Sequence, residues 1–305
     1  MQKNKSNRIR PDYSIRIMAY VSFAAFAVFF IVPVWGWIIA FIDYNPGISI
    51  FKSPFVGLKH FQRIYSNSME FLRVMRNTIA MSFLRLAMTP IAGVLAILIT
   101  EVPFKRFKKV VQTASVFPYL VSWVVIYSVF FAILSVDDGM LNNLLLNLGI
   151  ISKPFDLLAN EKATWPFMTF VSSWWNTGYY AMVYIAVISS INPELYEAAA
   201  IDGAGRFKMA LHITVPSLVP MFVIMFVLQC GQILSFGFEQ YFTFGNPLTR
   251  SSIEVFPTYA YRLGIANFRY SLSTAVGIFQ SVVSIILLTF SNWLAGKLYG
   301  RKLLS

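Results

Sequence analysis

The residues of this chain that could do chemistry are polar groups set inside long apolar runs. Arg85 lies about eight residues into one of them, where a charge at the centre of a bilayer costs at least ~2.5–3.5 kcal/mol and a functional role is the first hypothesis. Glu239, at the end of a later run, is its candidate partner, and a side chain reaching back to the interface is the competing reading. Trp174, Trp175, Asn176, Tyr179 and Tyr180 gather around Gly178, which suits close packing, while Gln229 and Gln232 fall on one helical face ahead of Glu239 and Gln240. Rings covering C–H surfaces, with amides or a carboxylate meeting hydroxyls, suit a sugar or a similar hydroxyl-rich solute. The same rings also suit an interfacial belt or helix packing, and the same glutamines suit interhelical hydrogen bonds, so both readings stand at this level. These groups point to binding and not to catalysis. No G-x-x-x-x-G-K-[S/T] is present to cradle nucleotide phosphates. Cys230, the single cysteine, lies in an apolar run, which leaves no disulfide and no thiolate zinc cluster. The expectation is a chain that is not an enzyme, with no metal and no cofactor of its own.

Those residues need membrane helices to position them. The chain is 57% apolar and only 12% charged, against ~45–50% and ~25% in soluble domains. Six windows, about 17–41, 77–100, 110–134, 165–190, 217–237 and 271–295, reach the length of a spanning helix, ~20 residues. They are too long and too evenly apolar for membrane-barrel strands of ~10 residues. The expected class is therefore all-α and polytopic, with six transmembrane helices. Pro33, Pro90 and Pro118 fall inside these windows and should kink them. The first window exceeds a signal-peptide core of ~7–15 residues and ends in no cleavage site, so a retained anchor is expected.

Orientation follows from charge. The net charge of +12 could suggest nucleic acid or an acidic lipid surface. However, Lys3, Lys5, Arg8, Arg10 and Arg16, the 105–109 cluster, Arg206 and Lys208, and Lys297, Arg301 and Lys302 all fall on one side of a six-span layout. The positive-inside rule makes that side the cytoplasm, N-in and C-in, although Lys52, Lys59, Arg63, Arg73 and Arg76 weaken the bias from the other side. The organisation read from this is a cytoplasmic tail over 1–16, a transmembrane domain over 17–296 and a short cytoplasmic tail over 297–305. No nucleic-acid partner is implied, and membrane lipid is.

Between the fourth and fifth windows, about 192–216, comes a mainly polar segment. Asn192 can cap and Pro193 can open a short helix, which passes through Glu197, Ala198 and Ala199 and ends at Asp202 and Gly203. A second short helix is expected from Arg206 to His212, before Pro216 begins the next span. The stretch Glu197-Ala198-Ala199, with Gly203 and the later Ile213-Thr214-Val215-Pro216, resembles the EAA loop of permease subunits of ATP-binding-cassette importers, with Val215 where leucine is usual. Gly57-Leu58, Phe61 and Asn77-Thr78 match the same family, and Gly237-Phe238-Glu239-Gln240 is similar to the end of the fifth span in its polysaccharide-importer branch. The resemblance covers nearly the whole chain.

It implies a type I importer permease fold in the cell membrane. It also implies a heterodimer with a second, homologous permease, two copies of a cytoplasmic ATPase that bind ATP and Mg, and an extracellular solute-binding protein delivering sugars such as oligosaccharides. Glu197, Ala198, Ala199, Asp202, Gly203 and Pro216 would form the ATPase-coupling element. The competing class is a self-sufficient secondary carrier or channel for a small polar solute. The loop and the shortage of membrane acids for a proton relay argue against it.

Overall fold

The computed structural model describes residues 13–66 and 68–299. Residues 1–12 of the tail expected over 1–16, and the basic end at Arg301 and Lys302, lie outside the described residues. Among those described, the chain is helical and forms no strand, only a single bridge between Ile42 and Phe55. Four helices are long and apolar enough to cross a membrane: α1 (Ile15–Phe41), α3 (Met69–Glu101), α9 (Arg206–Gly231) and α12 (Tyr270–Lys297). A short α2 (Lys59–Ser66) precedes α3. The fourth window forms one unbroken helix, α7 (Thr164–Ser189), preceded by the short α6 (Met140–Asn147). At ~1.5 Å per residue α7 is about 39 Å long, but its serines, Thr177 and Asn176 make it less apolar than the other four.

The third window departs from expectation. It is two helices, α4 (Lys105–Leu120) and α5 (Trp123–Leu134), meeting at 103°. Pro118 supplies no amide hydrogen, Phe117–Leu120 tightens into a 3-10 turn, and Val121 and Ser122 are extended. Pro90 does less, marking only a hitch at Met88, and Pro33 lies between a π turn over Ala27–Ile31 and a 3-10 stretch over Trp35–Phe41. The fifth window is also redrawn. No separate helix precedes it, because Arg206 to Gly231 is continuous, with a π turn at Ala210–Thr214 just before Pro216. The wider turn accommodates a residue that cannot donate to the preceding carbonyls.

Three apolar clusters hold the bundle. Ala92, Ala96 and Ala181 let α3 and α7 approach closely around Tyr184 and Leu218. Phe71, Phe256, Tyr259, Leu272 and Val276 join α3, α12 and the segment between α9 and α12. Phe167, Phe244, Trp123 and Val171 join α5, α7 and that same segment. At Gly178, near the middle of α7, an added Cβ would strike the Ser115 carbonyl of α4 and stand 2.9 Å from the Val116 nitrogen. The backbones touch there, as the sequence suggested for this glycine. By contrast, α1 buries nothing before Ala40.

The segments expected outside the membrane interlock at one end. The Asn77 amide donates to the carbonyls of Ser251 (2.9 Å) and Glu254 (3.1 Å), and Thr78 accepts from the Phe256 amide at 3.2 Å. Asn246 donates to the Leu158 carbonyl at 2.9 Å, and the Trp165 indole to the Ser252 carbonyl at 2.9 Å. Gly57, with φ +57°, turns the chain into α2, where Phe61 packs on Phe41; Phe55 and Leu58 stay exposed outside that helix. The residues that match the family motifs at 57–61 and 77–78 thus shape and fasten this end of the bundle.

Candidate functional site

At the end of α7 away from this cap lies α8 (Pro193–Ile201). The Asn192 side chain accepts from the Glu194 amide at 3.1 Å, so the expected cap forms. Its C-terminus is a Schellman turn: Gly203 at φ +75° donates to the Ala200 carbonyl (3.1 Å) and Ala204 to that of Ala199 (2.9 Å). Nothing stands within 4 Å of a Cβ built on Gly203, so glycine is required there by backbone angle alone. The Tyr196 hydroxyl meets that of Thr214 at 2.9 Å and fixes α8 to the π turn of α9.

The outer surface of this element is free. Glu197 and Asp202 are exposed and have no hydrogen-bonded or ionic side-chain partner among the described residues. Asp202 stands at the negative end of a helix dipole, where an acid is locally unfavourable. Ala198 and Pro216 are exposed, Ala199 is half-buried, and Ile201 and Phe207 are 87% and 80% accessible. This is a surface with acids and apolar anchors but no partner among the described residues.

The second group of residues lies at the α4/α5 break. Tyr119 stacks on Tyr179 with ring centroids 4.2 Å apart and an interplanar angle of 10°. Trp175 packs against Tyr119 at 4.5 Å and Trp123 at 4.8 Å, and its indole donates to the Val121 carbonyl at 3.4 Å. Leu120 remains 76% exposed beside this stack. Trp174 points elsewhere, edge-on to Phe130 at 5.9 Å. Sequence reading named Trp175 and Tyr179 but missed Tyr119, for which the adjoining Pro118 was the available signal.

Arg85, Asn176 and Gln229 come together, with Thr89, Ser173 and Tyr180, around an internal cavity of about 10 Å³. Thr89 donates to Gln229 at 3.4 Å. Arg85 does not pair with Glu239; its guanidinium lies 4.1 Å from the Phe236 ring centroid, and Glu239 is exposed on the first turn of α10 (Phe238–Phe244). The shared face expected for Gln229 and Gln232 also fails. The helix ends at Gly231, leaving Gln229 buried and Gln232 exposed beyond it. Gln240 is 2% accessible and donates to the Met168 carbonyl at 2.8 Å, so it ties α10 to α7. Gly237 starts α10 at φ +79°, and a Cβ there would press on the Tyr241 ring.

The cap holds an ionic group that sequence reading left unassigned. Arg262, just after α11 (Phe256–Tyr261), contacts Glu254 at 2.5 Å and Glu70 at 2.6 Å. Burial pulls its pKa down, but the bonds and charges of Glu254 and Glu70 outweigh it and hold the guanidinium pKa above its usual value. Burial pushes the neighbouring Tyr259 hydroxyl up to about 12. Glu161, bonded to Ser251 and Ser252 and near Arg76 and Arg73, is held below the usual carboxylate range.

The helical fold and its apolar spans agree with the chain's relatives. Residues 91–299 match the family described as the binding-protein-dependent transport system inner membrane component. The chain belongs to this family. It is 39% identical over 273 residues to the polygalacturonan/rhamnogalacturonan transport system permease protein YteP of Bacillus subtilis, covering 89% of this chain and 84% of that one. It is 37% identical over 273 residues to protein LplB of the same organism, covering 89% and 85%. A chain in the crystal structure of a bacterial ABC transporter that imports the acidic polysaccharide alginate superposes with a TM-score of 0.86 at 33% identity, over 94% of this chain and 96% of that one. The protein is thus a multi-pass permease with the ABC importer fold.

Proposed function

We propose that this permease carries oligosaccharides across the cell membrane as one half of a heterodimer with a second, homologous permease. Two copies of a cytoplasmic ATPase bind ATP and Mg, and an extracellular solute-binding protein delivers the sugar. The chain crosses the membrane six times, counting α4 and α5 as one span and including α7, with both termini in the cytoplasm. The solute-binding protein is supported by a related chain, 32% identical, from an alginate ABC transporter in complex with an alginate pentasaccharide-bound periplasmic protein.

The observation that carries the reading is α8. Its unpartnered Glu197 and Asp202 and exposed Ile201 suit a groove on the ATPase. The Tyr196–Thr214 bond and the short turn at Gly203 link it to a helix that runs unbroken to Gly231. When the ATPase dimer closes, α8 moves and α9 moves with it, which changes access to the path between the spans. For the path itself, irregular backbone at membrane depth must be buried in protein or line a water-filled cavity. The Val121 carbonyl is met by Trp175, and Tyr119, Trp175 and Tyr179 beside the break are the groups that would line the passage. The aromatic faces suit sugar rings.

The test is a reconstituted complex. A Glu197→Lys, Gly203→Val double variant should insert and assemble but lose the ATP hydrolysis that loaded binding protein stimulates. Full transport by that variant overturns the coupling role. Uptake by the permease pair without its ATPase would establish a self-sufficient carrier instead.

A further inference from the structure

The cap contains a cavity of about 290 Å³, close to the lower bound of ligand pockets, ~300 Å³. That volume suits one sugar residue and not a chain. Its walls include Phe242 and Tyr261, whose rings meet at 71° with centroids 5.0 Å apart, and both remain partly exposed. Most polar groups of the lining are committed. Asn246 serves Leu158, Leu248 and Thr249; Thr258 serves Val255; Glu254 and Arg262 hold each other. Arg250 and the Tyr261 hydroxyl have no hydrogen-bond or ionic partner among the described residues.

Among the charged residues of the lining, Arg262 is paired with Glu254, which leaves Arg250 as the cavity's one uncompensated charge. A ligand suited to it has an apolar ring face for Phe242 and Tyr261, a hydroxyl for Tyr261 and a carboxylate for the planar guanidinium fork. We propose that this cavity is a uronate subsite at the outer mouth of the permease, in which Arg250 selects oligosaccharides bearing a carboxylated sugar. The proposal rests on the sugar-import reading and adds an acidic substrate class and a site apart from the broken helix. An acidic side chain of the solute-binding protein could also meet an arginine, but it would not use the aromatic walls.

The experiment uses the assembled complex in nanodiscs without binding protein. Saturation-transfer NMR measures binding of an α-1,4-linked galacturonate trisaccharide and of its carboxyl-reduced, neutral counterpart. The wild type should prefer the uronate. Arg250→Gln should weaken uronate binding by about tenfold or more and leave the neutral sugar unchanged, with Arg250→Lys intermediate. Equal binding of the two sugars by the wild type, or of the uronate by wild type and Arg250→Gln, overturns the proposal. So does an absence of binding. ATP-driven uptake of binding-protein-delivered oligosaccharide in proteoliposomes tests the import reading separately, so that its failure is distinguishable from that of the subsite.

Discussion

Two glycines illustrate how differently one residue type can be required. Gly203 has open space around it and a left-handed backbone, whereas Gly178 stands against the backbone of α4. Gly203→Ala should cost about 1–2 kcal/mol locally, leave the melting temperature of the purified complex nearly unchanged and lower stimulated ATP hydrolysis. Gly178→Ala should instead cost about 3 kcal/mol by overpacking and lower the melting temperature. Equal effects of the two on melting would contradict this division. Arg262 allows a similar contrast, because removing it leaves Glu254 unpaired at 5% accessibility. Arg262→Met should destabilise the cap by about 3 kcal/mol, read by thermal unfolding in detergent. Arg262→Met with Glu254→Leu should recover most of that loss.

At the scale of elements, the apolar windows located α1, α3, α7, α9 and α12, since length and hydropathy are properties of consecutive residues. Breaks were harder to read. Pro118 announced a kink but not a turn of 103°, and nothing before Gly231 announced that α9 stops ahead of Gln232. Pairings across the chain were not legible at all. The bond from Asn77 to the Glu254 carbonyl joins positions 177 apart, and Tyr119 meets Tyr179 only after α4 and α7 have packed. The acids of α8 were legible because they belong to one short local pattern. For the break, Tyr119→Ala removes the ring shared by Tyr179 and Trp175 and should lower sugar uptake several-fold. Assembly and basal ATP hydrolysis should stay intact, and unchanged uptake would remove the stack from the path.

For the whole molecule, the segments around 43–76, 135–163 and 238–270 form one hydrogen-bonded cap, and α8 lies at the other end of α7. A reporter active only in the cytoplasm should therefore give signal when fused after Lys109, Ala204 or Ser305. It should be silent near Asn160 or Asn246. Signal at Asn246 would mean that the last spans run in the opposite direction.

The division of the third window into α4 and α5 also bears on biosynthesis. At ~1.5 Å per residue α4 is about 24 Å long and α5 about 18 Å, both short of a hydrocarbon core of ~30 Å. Neither half can complete a crossing as the ribosome delivers it, and the extended residues between them carry backbone polar groups that lipid cannot satisfy. Val121 finds its donor in Trp175, which is synthesised more than fifty residues later. This stretch must wait at the translocon or the interface until α7 arrives, so insertion of α4 and α5 is coupled to synthesis of α7.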